Sequence, residues 1–89
     1  MAAALDLEEI SDYLRFHHPA FSGPTVTKIY DSAKSLKRNP EKGRIGHLVG
    51  TRELVLAPLP YVILYSVDLD AVNLLRILHT SRDWSGLQV

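Results

Sequence analysis

The 89-residue chain contains no cysteine. That absence removes a disulfide framework, a thiolate metal site and a cysteine nucleophile together, so the fold must rest on packing alone. No apolar run approaches the roughly 18 residues of a membrane-spanning helix. The start, Met1-Ala-Ala-Ala-Leu-Asp-Leu-Glu-Glu9, turns acidic where a secretion signal would be basic and then apolar. A cytosolic location is the default expectation. Net charge is missing as well, since ten Lys and Arg offset ten Asp and Glu. What is present, 46% hydrophobic and 22% charged residues, describes one small globular domain over 1–89. A domain of this size buries only a modest share of its surface, so a partner that covers apolar area would help to stabilise it.

Cofactor chemistry is equally sparse. His17, His18, His47 and His79 include no pair at metal-binding helical spacing, and adjacent histidines project from a helix in different directions. Gly43-Arg-Ile-Gly46 lacks the length and the lysine of a phosphate loop and reads as a turn. Nothing specifies a nucleotide, flavin or metal cofactor.

Charge is distributed unevenly. Residues 1–20 carry Asp6, Glu8, Glu9 and Asp12 against Arg15, a balance of −3. Residues 28–52 carry Lys28, Lys34, Lys37, Arg38, Lys42, Arg44 and Arg52 against Asp31 and Glu41, a balance of +5. A basic stretch of this kind suits nucleic acid or an acidic protein. No aromatic residues are interleaved among most of its bases, however, and a lysine-rich solvated helix surface is the plainer reading.

Periodicity predicts two helices and then strands. Leu7, Ile10, Leu14 and His17, with Tyr13 beside them, recur at helical spacing, and the acids load the first turns where the helix dipole favours them. His18-Pro19 ends this helix. A second is expected from about Pro24 to Arg38, capped by Ser22 or Gly23, with Val26, Ile29, Tyr30, Ala33 and Leu36 inward. Short connections make the two an antiparallel hairpin.

Thr51–Ala57, Tyr61–Val67 and Ala71–His79 read as strands of an antiparallel meander, because the links between them are too short for crossovers. Strict alternation places Asn73, Leu75, Ile77 and His79 on one face of the last strand and Val72, Leu74, Arg76 and Leu78 on the other. The fold class is therefore α+β, a helical hairpin on a small twisted sheet. Both sheet faces are apolar and the hairpin covers only one, so the other is expected to meet another surface, such as a second chain.

Arg52, Arg76, His79 and Arg82, followed by Trp84, are the candidate functional residues. Arginines hold phosphates or carboxylates bidentately and a histidine moves a proton near neutral pH, so the set fits RNA cleavage or acidic-group binding. The plainer reading gives Arg52 beside Glu53 as a surface residue, His79 as a strand cap and Trp84 as a packing residue. Spacing fixes no carboxylate or second histidine beside His79.

Five segments in order resemble the RelE/ParE superfamily of toxins from bacterial type II toxin-antitoxin modules. They are Asp6-Leu-Glu-Glu-Ile-Ser-Asp-Tyr13, Asn39-Pro-Glu-Lys-Gly-Arg44, Gly50-Thr-Arg-Glu-Leu-Val55, Pro60-Tyr-Val-Ile-Leu-Tyr-Ser-Val67 and Leu75-Arg-Ile-Leu-His-Thr-Ser-Arg-Asp-Trp84. The resemblance implies a helical hairpin on a twisted antiparallel sheet and a cognate antitoxin whose tail wraps the toxin and covers the second apolar face. RelE-like members cut messenger RNA on the ribosome with bases on the sheet strands, whereas ParE-like members poison DNA gyrase without a known catalytic triad.

In this chain the positions corresponding to the RelE-type bases hold Glu53, Val55 and Val62, and only Arg82 retains a matching base. A negative charge and two valines cannot stabilise a phosphorane. The ending from Leu75 to Trp84 also resembles the ParE branch. The expected function is thus a protein-binding toxin acting on gyrase, with Arg52, Arg76, His79, Arg82 and Trp84 forming a binding edge for the target or antitoxin. The alternatives are a ribosome-dependent messenger endoribonuclease using Arg52, Arg76, His79 and Arg82, or a degenerate member that binds antitoxin without toxicity. Relatives usually begin with a short strand, whereas this chain starts at the helix: either the strand is missing, which would leave a sheet edge unpaired, or the true start lies upstream of Met1.

Overall fold

The computed structural model of the chain describes residues 2–69 and 71–81, together with Trp84. Alanines, the best helix formers, open α1 (Ala2–His17). Its inward stripe is Ala3, Asp6, Leu7, Ile10 and Leu14. The helix thus begins ahead of the acidic residues, and its first turn carries no acid. Asp6 is a buried member of the stripe instead of a surface charge balancing the dipole, while Tyr13 and His17 face solvent.

The second helix, α2, runs Pro19–Ser35 instead of Pro24 to Arg38. Only His18 separates the two helices. Its amide still donates to the Leu14 carbonyl at 2.7 Å, and Pro19 starts the next helix at once because a first-turn residue needs no N–H. Pro24 therefore lies inside the helix, where it removes one backbone donor. Ser22 is no cap: it is buried, and its hydroxyl donates across the hairpin to the Ser11 carbonyl at 3.5 Å. Leu36 to Arg38 continue as a turn, with Leu36 wholly buried.

Four strands follow, β1 (Arg44–Ile45), β2 (Arg52–Val55), β3 (Tyr61–Asp68) and β4 (Ala71–His79), in an antiparallel sheet of order β1-β2-β3-β4. β1 forms within the segment that reads as a plain turn. Gly43 brings the chain against Tyr65, whose hydroxyl accepts from the Gly43 amide at 2.8 Å and donates to the Pro40 carbonyl at 2.8 Å. A Cβ at position 43 would lie 2.5 Å from that hydroxyl and 2.9 Å from the Glu53 carbonyl oxygen, so the approach requires glycine.

The β3–β4 register shifts between Leu64 and Tyr65, with Leu64 opposite Arg76 but Tyr65 opposite Leu74. Leu75 is the extra residue of a bulge. Strict alternation fails at this point. The bulge returns Val72 and Leu74 to the side of Ile77, where all three pack with Ile29, Leu36 and Ile63 beneath the helices.

The opposite face is only partly open. Val62, Leu64 and Leu78 alternate with the core residues Ile63 and Ile77, yet they are only 3%, 0% and 1% exposed. These three are covered within the chain itself, while Val55, opposite Val62 on the same face, is 41% exposed, so the apolar area left for a second molecule is smaller than the alternation suggests. No described helix is long and apolar enough to cross a membrane.

Candidate functional site

Two polar networks tie the sheet to its surroundings. At the outer edge of β4, Asp6 Oδ2 accepts from Arg76 Nε at 2.7 Å and from the Ile77 amide at 2.9 Å, while Oδ1 accepts from Arg76 Nη2 at 3.0 Å. The guanidinium fork matches the carboxylate, and the pair also satisfies an edge amide that β3 does not reach. The hydrogen bond to Asp6, against a smaller opposing effect of burial, raises the Arg76 pKa above its ordinary value. This contact fastens α1 to β4.

On the other face, the Glu53 carboxylate is buried and lies in register between Arg44 and Leu64. Its Oε1 accepts from Arg44 Nε at 3.0 Å, and its Oε2 from the His47 amide at 2.8 Å, with His47 Nδ1 also at 2.8 Å. Burial alone would raise the Glu53 pKa. The hydrogen bonds from the His47 backbone and ring and from Arg44 together outweigh it and hold the carboxyl below its ordinary value.

The described candidate residues, Arg52, Arg76, His79 and Trp84, are not gathered into one constellation. Arg52 Nη1 donates to the Gly43 carbonyl at 2.6 Å and approaches the Glu41 carbonyl at 3.4 Å, so it braces the turn before β1. Arg76 is held by Asp6. His79 stands edge-on to Tyr61, with ring centroids 5.5 Å apart. Its Nδ1 accepts from the Ser81 amide at 3.1 Å and lies 2.7 Å from the Ser81 hydroxyl, which places the ring proton of the neutral form on Nε2. Trp84 meets His47 edge-on at 5.7 Å, next to the Glu53 network. Arg82 lies outside the described residues.

A cleft of about 400 Å³ opens between α1 and the adjoining ends of β3 and β4. Asp6, Glu9, Ile10 and Tyr13 line it from the helix, and Tyr61, Ile77 and His79 from the strands. Among the described residues that the sequence singles out for chemistry, only His79 lines it. Asp6 had a legible signal, a carboxylate three residues after Ala3 and four before Ile10, on the apolar stripe itself. Tyr61 had none beyond opening a strand. Among the described residues, no three His, Asp or Glu side chains converge as metal ligands would.

A family model described as the ParE toxin of the type II toxin-antitoxin system parDE matches residues 1–84. The chain belongs to the ParE toxin family. As a type II toxin it has an antitoxin partner. Two relatives are similar over most of this ParE-family chain. Y4kP of Sinorhizobium fredii, named as a toxin, is 36% identical over 78 residues, covering 88% of this chain and 80% of that protein. Toxin RelE2 of Caulobacter vibrioides is 38% identical over 80 residues, covering 90% and 89%. A solved structure of the chromosomal ParDE system from P. aeruginosa superposes with a TM-score of 0.82 at 26% identity, over 90% of this chain and 89% of that one. The α+β fold, two helices followed by an antiparallel sheet, is the one shared with that ParDE structure.

Proposed function

We propose that this ParE-family chain is a binding toxin that arrests DNA gyrase and is neutralised by the antitoxin of its module. The observation that carries this reading is the occupation of Glu53. Where a RelE-like nuclease would place a base on the sheet, this chain places a carboxylate that is buried and consumed by Arg44 and His47. Val62, at a second such position, is buried as well. Arg76 is neutralised by Asp6, and Arg52 is turned to backbone carbonyls. None of these four positions presents an unengaged base to a scissile phosphate. Purified chain is expected to inhibit gyrase supercoiling and the antitoxin to relieve the inhibition. Unimpaired supercoiling at large molar excess overturns the proposal.

The competing reading is a ribosome-dependent endoribonuclease. It is favoured by the exposed His79 and by the name of the Caulobacter relative. Primer extension on translated messenger after induction separates the two readings. Codon-positioned cuts that vanish in His79→Ala and Arg82→Ala establish the nuclease, and their absence removes it.

A further inference from the structure

The cleft beside α1 has the chemistry of a built site. Tyr61 is only 7% exposed, and its hydroxyl, without a hydrogen-bond partner among the described residues, keeps its access to solvent beside the cleft that the residue lines. Burial, and then the nearby Tyr13, push its pKa up, so the phenol stays neutral. Asp6 is matched in charge by Arg76, whereas Glu9 on the same wall has no ion-pair partner among the described residues. Glu9 is exposed and feels the Arg76 guanidinium only at a distance, so the two carboxylates and one guanidinium leave an excess of one negative charge at the rim. The rings of Tyr13 and Tyr61 and the aliphatic surfaces of Ile10 and Ile77 complete the walls.

We propose that this cleft receives a basic side chain, the guanidinium of an arginine or the ammonium of a lysine, carried by the antitoxin. A cation that only donates hydrogen bonds satisfies the Glu9 carboxylate and the Tyr61 hydroxyl at once. Its methylene stem lies along Ile10 and Ile77, and the faces of the tyrosine rings attract its charge. An acidic side chain is repelled by Glu9. An aliphatic one covers Glu9 and the Tyr61 hydroxyl without pairing either. The inference rests on membership of a toxin-antitoxin module and is independent of gyrase as the target.

Two measurements test it. In amide NMR of the labelled chain, N-acetyl-arginine amide is expected to shift the signals of Glu9, Tyr13, Tyr61 and Ile77, whereas N-acetyl-citrulline amide, neutral and nearly isosteric, leaves them in place. The antitoxin from the neighbouring reading frame is expected to bind Glu9→Gln and Tyr61→Phe about tenfold more weakly each, the loss of one charge-assisted hydrogen bond. Glu8→Gln, an exposed carboxylate on the same helix but outside the cleft, is expected to bind as the parent does. Substituting the responsible Arg or Lys of the antitoxin with Met removes the difference between parent and Glu9→Gln. Equal responses to the two amides, no response to either, or antitoxin affinity indifferent to Glu9→Gln each overturn the proposal. Glu9 is exposed, so its variant leaves the fold intact. A chain without effect on gyrase leaves every one of these outcomes unchanged.

Discussion

β3 and the junction of the two helices are both rich in apolar and aromatic side chains, and the molecule uses them in opposite ways. Tyr61 through Tyr65 are buried without exception, alternate residues going to the helix side and to the far side of the sheet. At the junction, Phe16 is 82% and Phe21 63% exposed, with the rings of His17 and His18 beside them. The cause is geometric. β3 is an interior strand, so the side chains of its first five residues have strand neighbours on both sides. The helices are joined by one residue, His18, and the side chains flanking so tight a link splay outward around the bend. Burial, not apolar content, therefore decides which region carries the stability of this fold.

The sharpest test is Ile63→Ala. Ile63 has no exposed surface and packs with Leu54 and Ile77 across both neighbouring strands. Truncation in a close-packed core is expected to cost about 4 kcal/mol, read as a lowered urea midpoint. At roughly 4–8 °C per kcal/mol for a domain of this length, the chain would be barely folded at 37 °C. A loss below about 1 kcal/mol would mean that β3 is not the anchor described.

Asp6→Ala comes next and probes where the two regions are joined. It leaves the Arg76 guanidinium without its carboxylate and the Ile77 amide without an acceptor. The Arg76 and Asp6 side chains are 17% and 11% exposed, so the expected cost is about 2–3 kcal/mol, short of that for a fully dry ion pair. Adding Arg76→Met to Asp6→Ala is expected to recover part of the loss, because the stranded charge then disappears. A double variant as unstable as the sum of the singles would show that the pair does not act as a unit.

Glu53 offers a smaller, pH-dependent effect. Its folded-state pKa lies below the ordinary carboxylate value of roughly 4.3, so the stabilisation is complete above that value and is lost as pH falls through the folded pKa. Glu53→Gln is expected to lose about 1–2 kcal/mol at pH 7. Below about pH 4.3 the gap between variant and parent should narrow, measured by urea unfolding at several pH values. A gap independent of pH would remove the carboxylate from the network.

These tests also separate what was legible in the sequence from what was not. Two helices followed by a meander were legible because the hydrophobic period changes from helical to alternating near residue 50. The start of α2 was not, because Pro19 and Pro24 both suit a first helical turn and only the fold chooses Pro19. The bulge at Leu75 escaped alternation, since an inserted leucine in a leucine-rich strand changes no pattern that periodicity can detect. Arg76 looked like a candidate for chemistry because it is a base within an apolar strand. Its partner sits 70 residues away on α1, a distance that no local spacing spans. The cleft was hidden for the same reason, its walls coming from the first helix and the last two strands.

The smallest expected effect completes the comparison from the other side. Phe16→Ser combined with Phe21→Ser removes two rings from the helix junction, where ordinary helix positions would tolerate either residue. Phe16 meets the His17 ring edge-on at 4.9 Å, and Phe21 lies 6.4 Å from the ring of His18. Because the phenyl groups are already largely in water, little apolar surface changes its environment on unfolding. The double variant should lie within about 0.5 kcal/mol of the parent in urea, apart from a slight loss in helix propensity. A loss approaching that of Ile63→Ala would place the junction in the core and erase the distinction. If stability is kept while antitoxin affinity falls, the exposed rings serve recognition.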